Sequence, residues 1–175
     1  MEFKPHDYQA RAIDMVVRQS HVGLFLDMGL GKTVITLTAI QELMYDRFEV
    51  SRVLVIAPKR VAEDTWTREH KKWDHLKDLT VARVLGSPEQ RRRALASDSD
   101  IYVIGRDNVV WLVEHYLKMR QGWPFDMVVI DELSSFKNPQ AKRFRALRKA
   151  VPAASRVVGL TGTPSPNGLM DLWAE

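Results

Sequence analysis

The chain contains no cysteine among its 175 residues. It therefore has no disulfide, no thiolate metal site and no cysteine nucleophile, a composition typical of proteins from reducing compartments. The first five residues lack the apolar core of a signal peptide, and no apolar run approaches the length of a membrane span. These absences argue against a secreted disulfide scaffold, a membrane protein and a cysteine-dependent enzyme.

Acidic residues are missing from one long segment, because none lies between Glu132 and Asp171. The net charge of +4 favours an anionic partner only weakly, but this segment concentrates positive charge. Charge of one sign over such a length suits a phosphate backbone. The alternative is a solvated helix face, which we favour for any single side chain here. The basic residues are Lys137, Lys142, Arg143, Arg145, Arg148, Lys149 and Arg156.

Runs of Val, Ile and Leu alternate along the chain with stretches of helical periodicity. Near-continuous apolar runs indicate parallel strands that are buried on both faces. We therefore predict one α/β domain, with helices on both sides of a mainly parallel sheet and a ligand at the carboxyl ends of its strands. The predicted strands are residues 22–26, 53–57, 80–84, 101–104, 127–130 and 157–160, and the predicted helices are 8–18, 32–45, 62–73, 88–96, 108–117 and 139–151.

A glycine-rich segment joins the first predicted strand to the second predicted helix. Its residues are Met28, Gly29, Leu30, Gly31, Lys32 and Thr33. Backbone N–H groups in such a loop bind phosphate at the N-terminus of the following helix, and glycines let the backbone approach the anion. Lys32 would reach the β- and γ-phosphates, and the Thr33 hydroxyl would bind Mg²⁺. The full phosphate-loop pattern has a glycine in place of Leu26, so the alternative is a tight turn that opens a helix.

Two adjacent carboxylates, Asp131 and Glu132, follow the predicted strand at 127–130. In triphosphate hydrolysis, the first carboxylate holds Mg²⁺ and the second positions or deprotonates the attacking water. Their place at a strand end puts them beside the phosphate loop of an α/β sheet. The alternative, a solvent-facing start of a loop, is common for such a pair in isolation.

Two further motifs are weak by themselves. Thr161, Gly162 and Thr163 follow the last predicted strand and could link the carboxylate loop to the γ-phosphate; the alternative is ordinary turn chemistry. Gln9, at the head of the first helix, has the donors and acceptor to pair with the N6 and N7 edge of adenine, which would select ATP over GTP. The alternative for Gln9 is a surface side chain.

Taken in this order, the Tyr8-Gln9 pair, M-G-L-G-K-T, the strand ending in D-E, and L-T-G-T-P resemble the first RecA-like lobe of superfamily-two helicases. The resemblance is strongest to the Swi/Snf family of DNA-dependent ATPase translocases, and it runs from about residue 3 to residue 175. Pro58 and Trp66 match the proline and tryptophan that follow the family's second strand. Residues 131–138 resemble D-E-A-H-x-x-K-N, with Leu133-Ser134 in place of Ala-His, which alters the link to the threonine motif.

The resemblance implies a three-layer RecA-like fold over residues 1–175, with ATP and Mg²⁺ as cofactors. Lys32, Asp131 and Glu132 would be catalytic, and Thr161 to Thr163 would couple nucleotide state to movement. Family members place ATP between two lobes, and the second lobe supplies an arginine finger worth about 10³–10⁵ in rate. A second RecA-like lobe, in cis or in trans, would lie outside these residues. We therefore expect this chain alone to bind ATP weakly and to hydrolyse it very slowly.

The family likeness also implies a partner, double-stranded DNA that is bound through its phosphates without sequence preference. No membrane association is expected. The compartment would be the cytoplasm of a bacterium, with a bacterial or phage gene, or another reducing compartment that contains DNA. The candidate DNA contacts, in two loops that follow strands, are Pro58, Lys59, Arg60, Arg106 and Asn108.

Two rival functions differ from this one. A small-molecule kinase with a phosphate loop would offer no reason for the L-T-G-T-P motif. A non-catalytic DNA-binding or protein-docking module with a vestigial nucleotide site would have no need for intact Lys32, Thr33, Asp131 and Glu132.

Basic and aromatic residues elsewhere are interpreted as structural. Arg91, Arg92 and Arg93 are predicted to form a solvated helix face away from the motif loops. Trp66, Trp73 and Trp111 lie at helical spacings and are predicted to belong to the core rather than to stack on bases.

Overall fold

Six strands form a single sheet in which every neighbouring pair is parallel. The computed structural model describes residues 1–26, 31–120, 122–132 and 142–162. The strands are β1 (His21–Phe25), β2 (Val53–Ala57), β3 (Val81–Val84), β4 (Ile101–Gly105), β5 (Met127–Asp131) and β6 (Arg156–Thr161). All six predicted strands are confirmed, with small shifts at their ends, and the sheet is wholly rather than mainly parallel.

The strand order brings three chain segments together at the carboxyl-terminal edge of the sheet, where its parallel strands end. The order is β1-β6-β5-β2-β4-β3. Phe25 at the end of β1 pairs with Thr161, and Leu160 pairs with Asp131. The carboxyl ends of β1, β6 and β5 are therefore neighbours, although they are far apart in the sequence.

Helices fill the connections between the strands. They are α1 (Asp7–Arg18), α2 (Lys32–Gln41), α3 (Trp66–Lys72), α4 (Pro88–Ala96), α5 (Val109–Met119) and α6 (Lys142–Ala150). A π-helical turn, Glu42–Asp46, extends α2, and a second one, Val61–Thr65, leads into α3. The predicted helices are confirmed wherever the chain is described. Within the described ranges, every helix is too short or too polar to cross a bilayer.

The sheet is the middle of three layers, because successive residues of its central strands pack against opposite helix sets. Val53, Val55 and Ala57 of β2 belong to a core that includes residues of α1, α2 and α3. Leu54 and Ile56 belong to a second core with residues of α4, α5 and α6. This two-sided burial explains why β2 reads as a continuous apolar run.

Arg156 anchors α1 to the first residue of β6. Its guanidinium donates to the carbonyls of Val16 and Val17 at 3.2 and 2.9 Å, and it forms an ion pair with Glu49 at 2.9 Å. The carbonyls at the C-terminal end of a helix lack intrahelical partners. A cation there donates hydrogen bonds to them and is also attracted by the negative end of the helix dipole. The contact holds α1, which carries Gln9 near its start, against the sheet.

Candidate active site

Lys32 joins the start of α2 to both carboxylates at the end of β5. Its Nζ lies 2.9 Å from Asp131 Oδ1 and donates a hydrogen bond to Glu132 Oε1 at 2.8 Å. The Asp131 side chain is fully buried, and that of Lys32 is 19% exposed. The structure therefore brings together the three residues that were predicted to be catalytic.

The end of β5 has an unusual backbone that aims both carboxylates at one point. Every residue of Met127–Asp131 is buried. Successive side chains of a strand normally point to opposite faces. Glu132, however, has a φ of 61°, in the left-handed region that side chains other than glycine rarely adopt. This reversal lets Glu132 reach the same ammonium as Asp131, and such strain is typical of functional sites.

The surroundings of Lys32 change its affinity for a proton. Burial alone would lower the pKa of its ammonium, but attraction to Asp131 and the hydrogen bond to Glu132 outweigh that effect and raise the pKa. Lys32 is therefore charged at any physiological pH, as a phosphate ligand must be.

The raised pKa predicts a stability change at high pH. The stabilisation from Lys32 is fully present below its unfolded-state value of 10.5 and is lost as the pH rises through the higher folded-state pKa. The difference in unfolding free energy between wild type and Lys32→Met, from urea titrations, should thus be constant from neutral pH into the mildly alkaline range, where the carboxylates are ionised, and shrink above pH 10.5. Lys77→Met is the control, since the Lys77–Asp74 ion pair is exposed. An unchanged difference above that pH would contradict the assignment.

Gln9 lies against the residue that precedes α2. Gly31 has a φ of 78°, and a Cβ at this position would lie 2.8 Å from Gln9 Nε2. Gln9 is buried, and its Oε1 accepts the backbone N–H of His6 at 2.9 Å. This hydrogen bond orients the amide so that Nε2 faces the glycine. Gln9 is thus part of the same edge as Lys32 rather than a side chain on an open surface. Of the predicted loop, Met28, Gly29 and Leu30 lie outside the described residues.

The start of the threonine motif packs beside the segment that leads into the phosphate loop. Thr161 ends β6 between β1 and β5 and is buried. Its carbonyl accepts the N–H of Leu26 at 3.0 Å, and a Cβ on Gly162 would lie 3.7 Å from the Leu26 carbonyl oxygen. Thr161 and Gly162 are therefore placed between the loop strand and the carboxylate strand, while Thr163 lies outside the described residues.

The residues at this edge fit a Mg²⁺ ion that is held mainly by phosphate and water. Asp131 Oδ1 is buried and lies 2.9 Å from the Lys32 ammonium, and a carboxylate oxygen has a second lone pair for the cation or one of its waters. Thr33 is buried in the first turn of α2. No three His, Asp or Glu side chains in the described ranges are grouped to hold a metal by themselves. Mg²⁺ commonly binds one or two carboxylates together with substrate phosphates, so these donors suit it.

Trp66 is a residue of this site that sequence reasoning missed. Its indole N–H donates to Asp131 Oδ2 at 3.0 Å, and both side chains are buried. The prediction that Trp66 lies in the core is confirmed. The family pattern of proline then tryptophan marks its position, but no local signal indicates a partner so distant in the sequence.

The two segments predicted to be DNA-contacting loops are neighbours at the same edge of the sheet, but both are helical: Lys59 and Arg60 begin the helical segment after β2, and Arg106–Asn108 forms a 3₁₀ turn. They follow β2 and β4, which pair in parallel. A Cβ on Gly105 would lie 3.9 Å from the Cα of Lys59, so the two segments approach closely. Lys59 and Arg60 are exposed, whereas Pro58, Arg106 and Asn108 are half-buried.

The prediction of a solvated face for Arg91 is wrong. Its side chain is buried, and its guanidinium lies 4.4 Å from the centre of the Trp111 ring. A cation stacked on an indole is favourable, and the stem of arginine packs well on apolar surface. Arg92 and Arg93 are exposed, as predicted.

Comparison with known proteins agrees with these observations. A family model for the SNF2-related domain matches residues 8–174. Protein p41 of Acyrthosiphon pisum secondary endosymbiont phage 1 is 40% identical over 179 residues, covering 99% of this chain and 38% of p41. The chromatin structure-remodeling complex subunit snf21 of Schizosaccharomyces pombe is 31% identical over 178 residues, covering 98% of this chain and 14% of snf21. The chain thus spans well under half the length of either relative.

Solved structures show the same architecture. The SWI2/SNF2 ATPase core of Sulfolobus solfataricus, in complex with dsDNA, matches with a TM-score of 0.76 and 27% identity over 99% of this chain and 35% of that one. The UvsW helicase of bacteriophage T4 matches with a TM-score of 0.72 and 16% identity, over 97% of this chain and 57% of that one, which shows a shared fold. The predicted RecA-like α/β fold is confirmed.

Proposed function

This chain belongs to the SNF2-related family, and we propose that it is the ATP-binding lobe of a DNA-dependent ATPase that moves on double-stranded DNA. Family members are DNA-dependent ATPases, which supports a hydrolase of this kind. One observation carries the proposal: Lys32 contacts both strand-end carboxylates beside Gly31 and Gln9. That arrangement is suited to triphosphate hydrolysis.

The residues divide the chemistry between them. Bound Mg²⁺ would neutralise charge on the transferred phosphoryl group. Lys32 has three donors, so it can retain its carboxylate contacts and still donate to a phosphate oxygen. Asp131 Oδ1 would hold the cation with the Thr33 hydroxyl, and Glu132 would orient and deprotonate the attacking water. Gln9 would bind the adenine edge.

A second lobe completes the proposed motor. The relatives and the solved SWI2/SNF2 core are much longer than this chain, which supports a further lobe in cis or in trans. That lobe would supply an arginine worth about 10³–10⁵ in rate, so the chain alone should hydrolyse ATP very slowly. The absence of cysteine and the phage relative support a bacterial cytoplasm or another reducing compartment with DNA.

ATP turnover with and without duplex DNA tests the function, measured on the natural protein that contains this chain. We expect turnover that DNA stimulates, and its loss in Lys32→Ala by at least about 10²-fold, since a positioned cation is removed from the transferring phosphate. An ATP turnover rate that duplex DNA does not change would contradict the proposal of a DNA-dependent motor. Retained turnover in Lys32→Ala would contradict the site.

The loop after β2 is proposed to bind phosphate through Lys59. Lys59→Ala should weaken duplex binding equally for unrelated sequences and reduce the slope of log affinity against log salt by about 1, because one phosphate contact is lost. Fluorescence anisotropy over a salt series measures both quantities. Arg93→Ala, which removes an exposed cation from α4, is the matched control and should change neither. The same slope in wild type and Lys59→Ala would contradict the contact.

A further inference from the structure

The contact between Trp66 and Asp131 has no part in the chemistry proposed so far. The indole Nε1 donates to Asp131 Oδ2 at 3.0 Å. Trp66 has no exposed surface and lies in the core with α1, α2 and the sheet. A hydrogen bond buried this deeply is costly to lose, because water cannot replace the missing partner.

This hydrogen bond gives the two oxygens of the Asp131 carboxylate different partners. Oδ2 accepts from the indole, while Oδ1 lies 2.9 Å from Lys32 Nζ. An indole N–H can only donate, and its ring is held by the surrounding core, so it holds the carboxylate plane in one orientation. The oxygen proposed for the cation is therefore aimed by a residue that does not itself touch the cation or the nucleotide.

Trp66 also belongs to the chain segment that carries a predicted DNA-contacting loop. Ala62 N–H donates to the carbonyl of Pro58 at 2.9 Å, so helical structure begins directly after β2. It continues through the π-helical turn Val61–Thr65 into α3, whose first residue is Trp66. π-Helical turns frequently occur at functional sites. One continuous segment thus connects the loop with Lys59 to the indole.

We propose that Trp66 is a positioning residue that orients Asp131 for Mg²⁺ and couples DNA contact at residues 58–60 to the ATP site. The proposal rests on the function proposed above. A shift of the loop on binding DNA moves the helical segment and its indole, and the indole moves the carboxylate. Coupling of this kind is reciprocal, so DNA and Mg²⁺–nucleotide change each other's affinity by the same factor.

The test uses the natural protein that contains this chain, with Trp66→Phe and Trp73→Phe. Trp73 is a matched control, because it also donates an indole N–H to a carboxylate, Glu69 Oε1 at 3.1 Å, but away from the site. Trp66→Phe should raise the Mg²⁺ concentration for half-maximal turnover by about 10-fold, in line with the usual effect of removing an outer-shell partner. Its affinity for a fluorescent ATP analogue in EDTA should stay the same. Trp73→Phe should match wild type in both measurements.

Coupling is measured as the ratio of duplex DNA affinities with and without Mg²⁺ and a non-hydrolysable ATP analogue. In the wild type this ratio should differ from one. In Trp66→Phe it should be closer to one, while DNA affinity without nucleotide stays the same. Trp66→benzothienylalanine, which keeps the bicyclic shape and has a sulfur atom in place of the N–H donor, replaces Trp66→Phe if circular dichroism shows that the phenylalanine variant is unfolded. If DNA stimulates the wild type and Trp66→Phe has the same Mg²⁺ dependence and the same coupling, the proposed role of Trp66 is wrong and the proposed function is unaffected. A wild type without DNA stimulation would instead overturn the proposed function.

Discussion

Replacing Glu132 with glutamine is expected to lower the rate of ATP turnover by about 10²–10⁴-fold while ATP remains bound. Glutamine keeps the shape of the side chain and an oxygen that can accept from Lys32, as Glu132 Oε1 does at 2.8 Å. It cannot take a proton from water. Phosphate release on the natural protein with duplex DNA measures the rate, and a fluorescent ATP analogue measures binding.

The matched control is Glu69→Gln. Glu69 is also a carboxylate that accepts one hydrogen bond, from Trp73, but it lies on α3 away from Lys32. This variant should turn over ATP at the wild-type rate. If Glu132→Gln loses only a few-fold in rate, another group must activate the water and the assigned role of Glu132 is wrong.

The substitution Gly31→Ala should weaken nucleotide binding as well as destabilise the fold. The left-handed backbone costs an alanine roughly 1–2 kcal/mol. In addition, the new Cβ would lie 2.8 Å from Gln9 Nε2, and the amide can escape only by leaving its place beside the loop. A neutral hydrogen bond contributes about 0.5–1.5 kcal/mol, so losing the two bonds proposed between the Gln9 amide and adenine lowers ATP affinity by about tenfold.

Gly122→Ala separates the two effects. Gly122 has a φ of 75°, close to that of Gly31, but a Cβ there would meet nothing within 4 Å. Both variants should lose similar stability in urea unfolding, and only Gly31→Ala should lose ATP affinity in calorimetric titration. Equal affinities for the two variants would show that the contact between Gly31 and Gln9 has no role in binding.

Much of the fold could be predicted because its determinants are local. Each residue of β2 is buried, and a run of five apolar residues identifies such a strand without knowledge of its neighbours. Asp131 and Glu132 could be assigned because polar residues at the end of a buried parallel strand must face the ligand edge of the sheet. Lys32 followed from the pattern of its own loop.

Other features depend on contacts that the sequence does not encode locally. The partner of Trp66 is Asp131, and the surface beneath Arg91 is Trp111; each pair joins different elements. Helical periodicity indicates which face of a helix is apolar. It does not indicate which arginine on that helix will pack its side chain against an aromatic ring of a neighbouring helix. The positive φ of Glu132 was also unpredictable, because no residue preference favours it and the surrounding contacts must impose it.

The position of β1 has a consequence for the order in which the protein is assembled. Within the described part of the sheet, β1 pairs only with β6, the last strand of the described residues, whereas β2, β3, β4 and β5 are joined to one another and β5 alone of these also pairs with β6. Contacts between distant segments close late, because the entropy of a long loop must be lost first. During synthesis, a ribosome would release most of the sheet before the strand that precedes Lys32 has a place to dock. Competence to bind nucleotide would thus be acquired only after translation has passed β6.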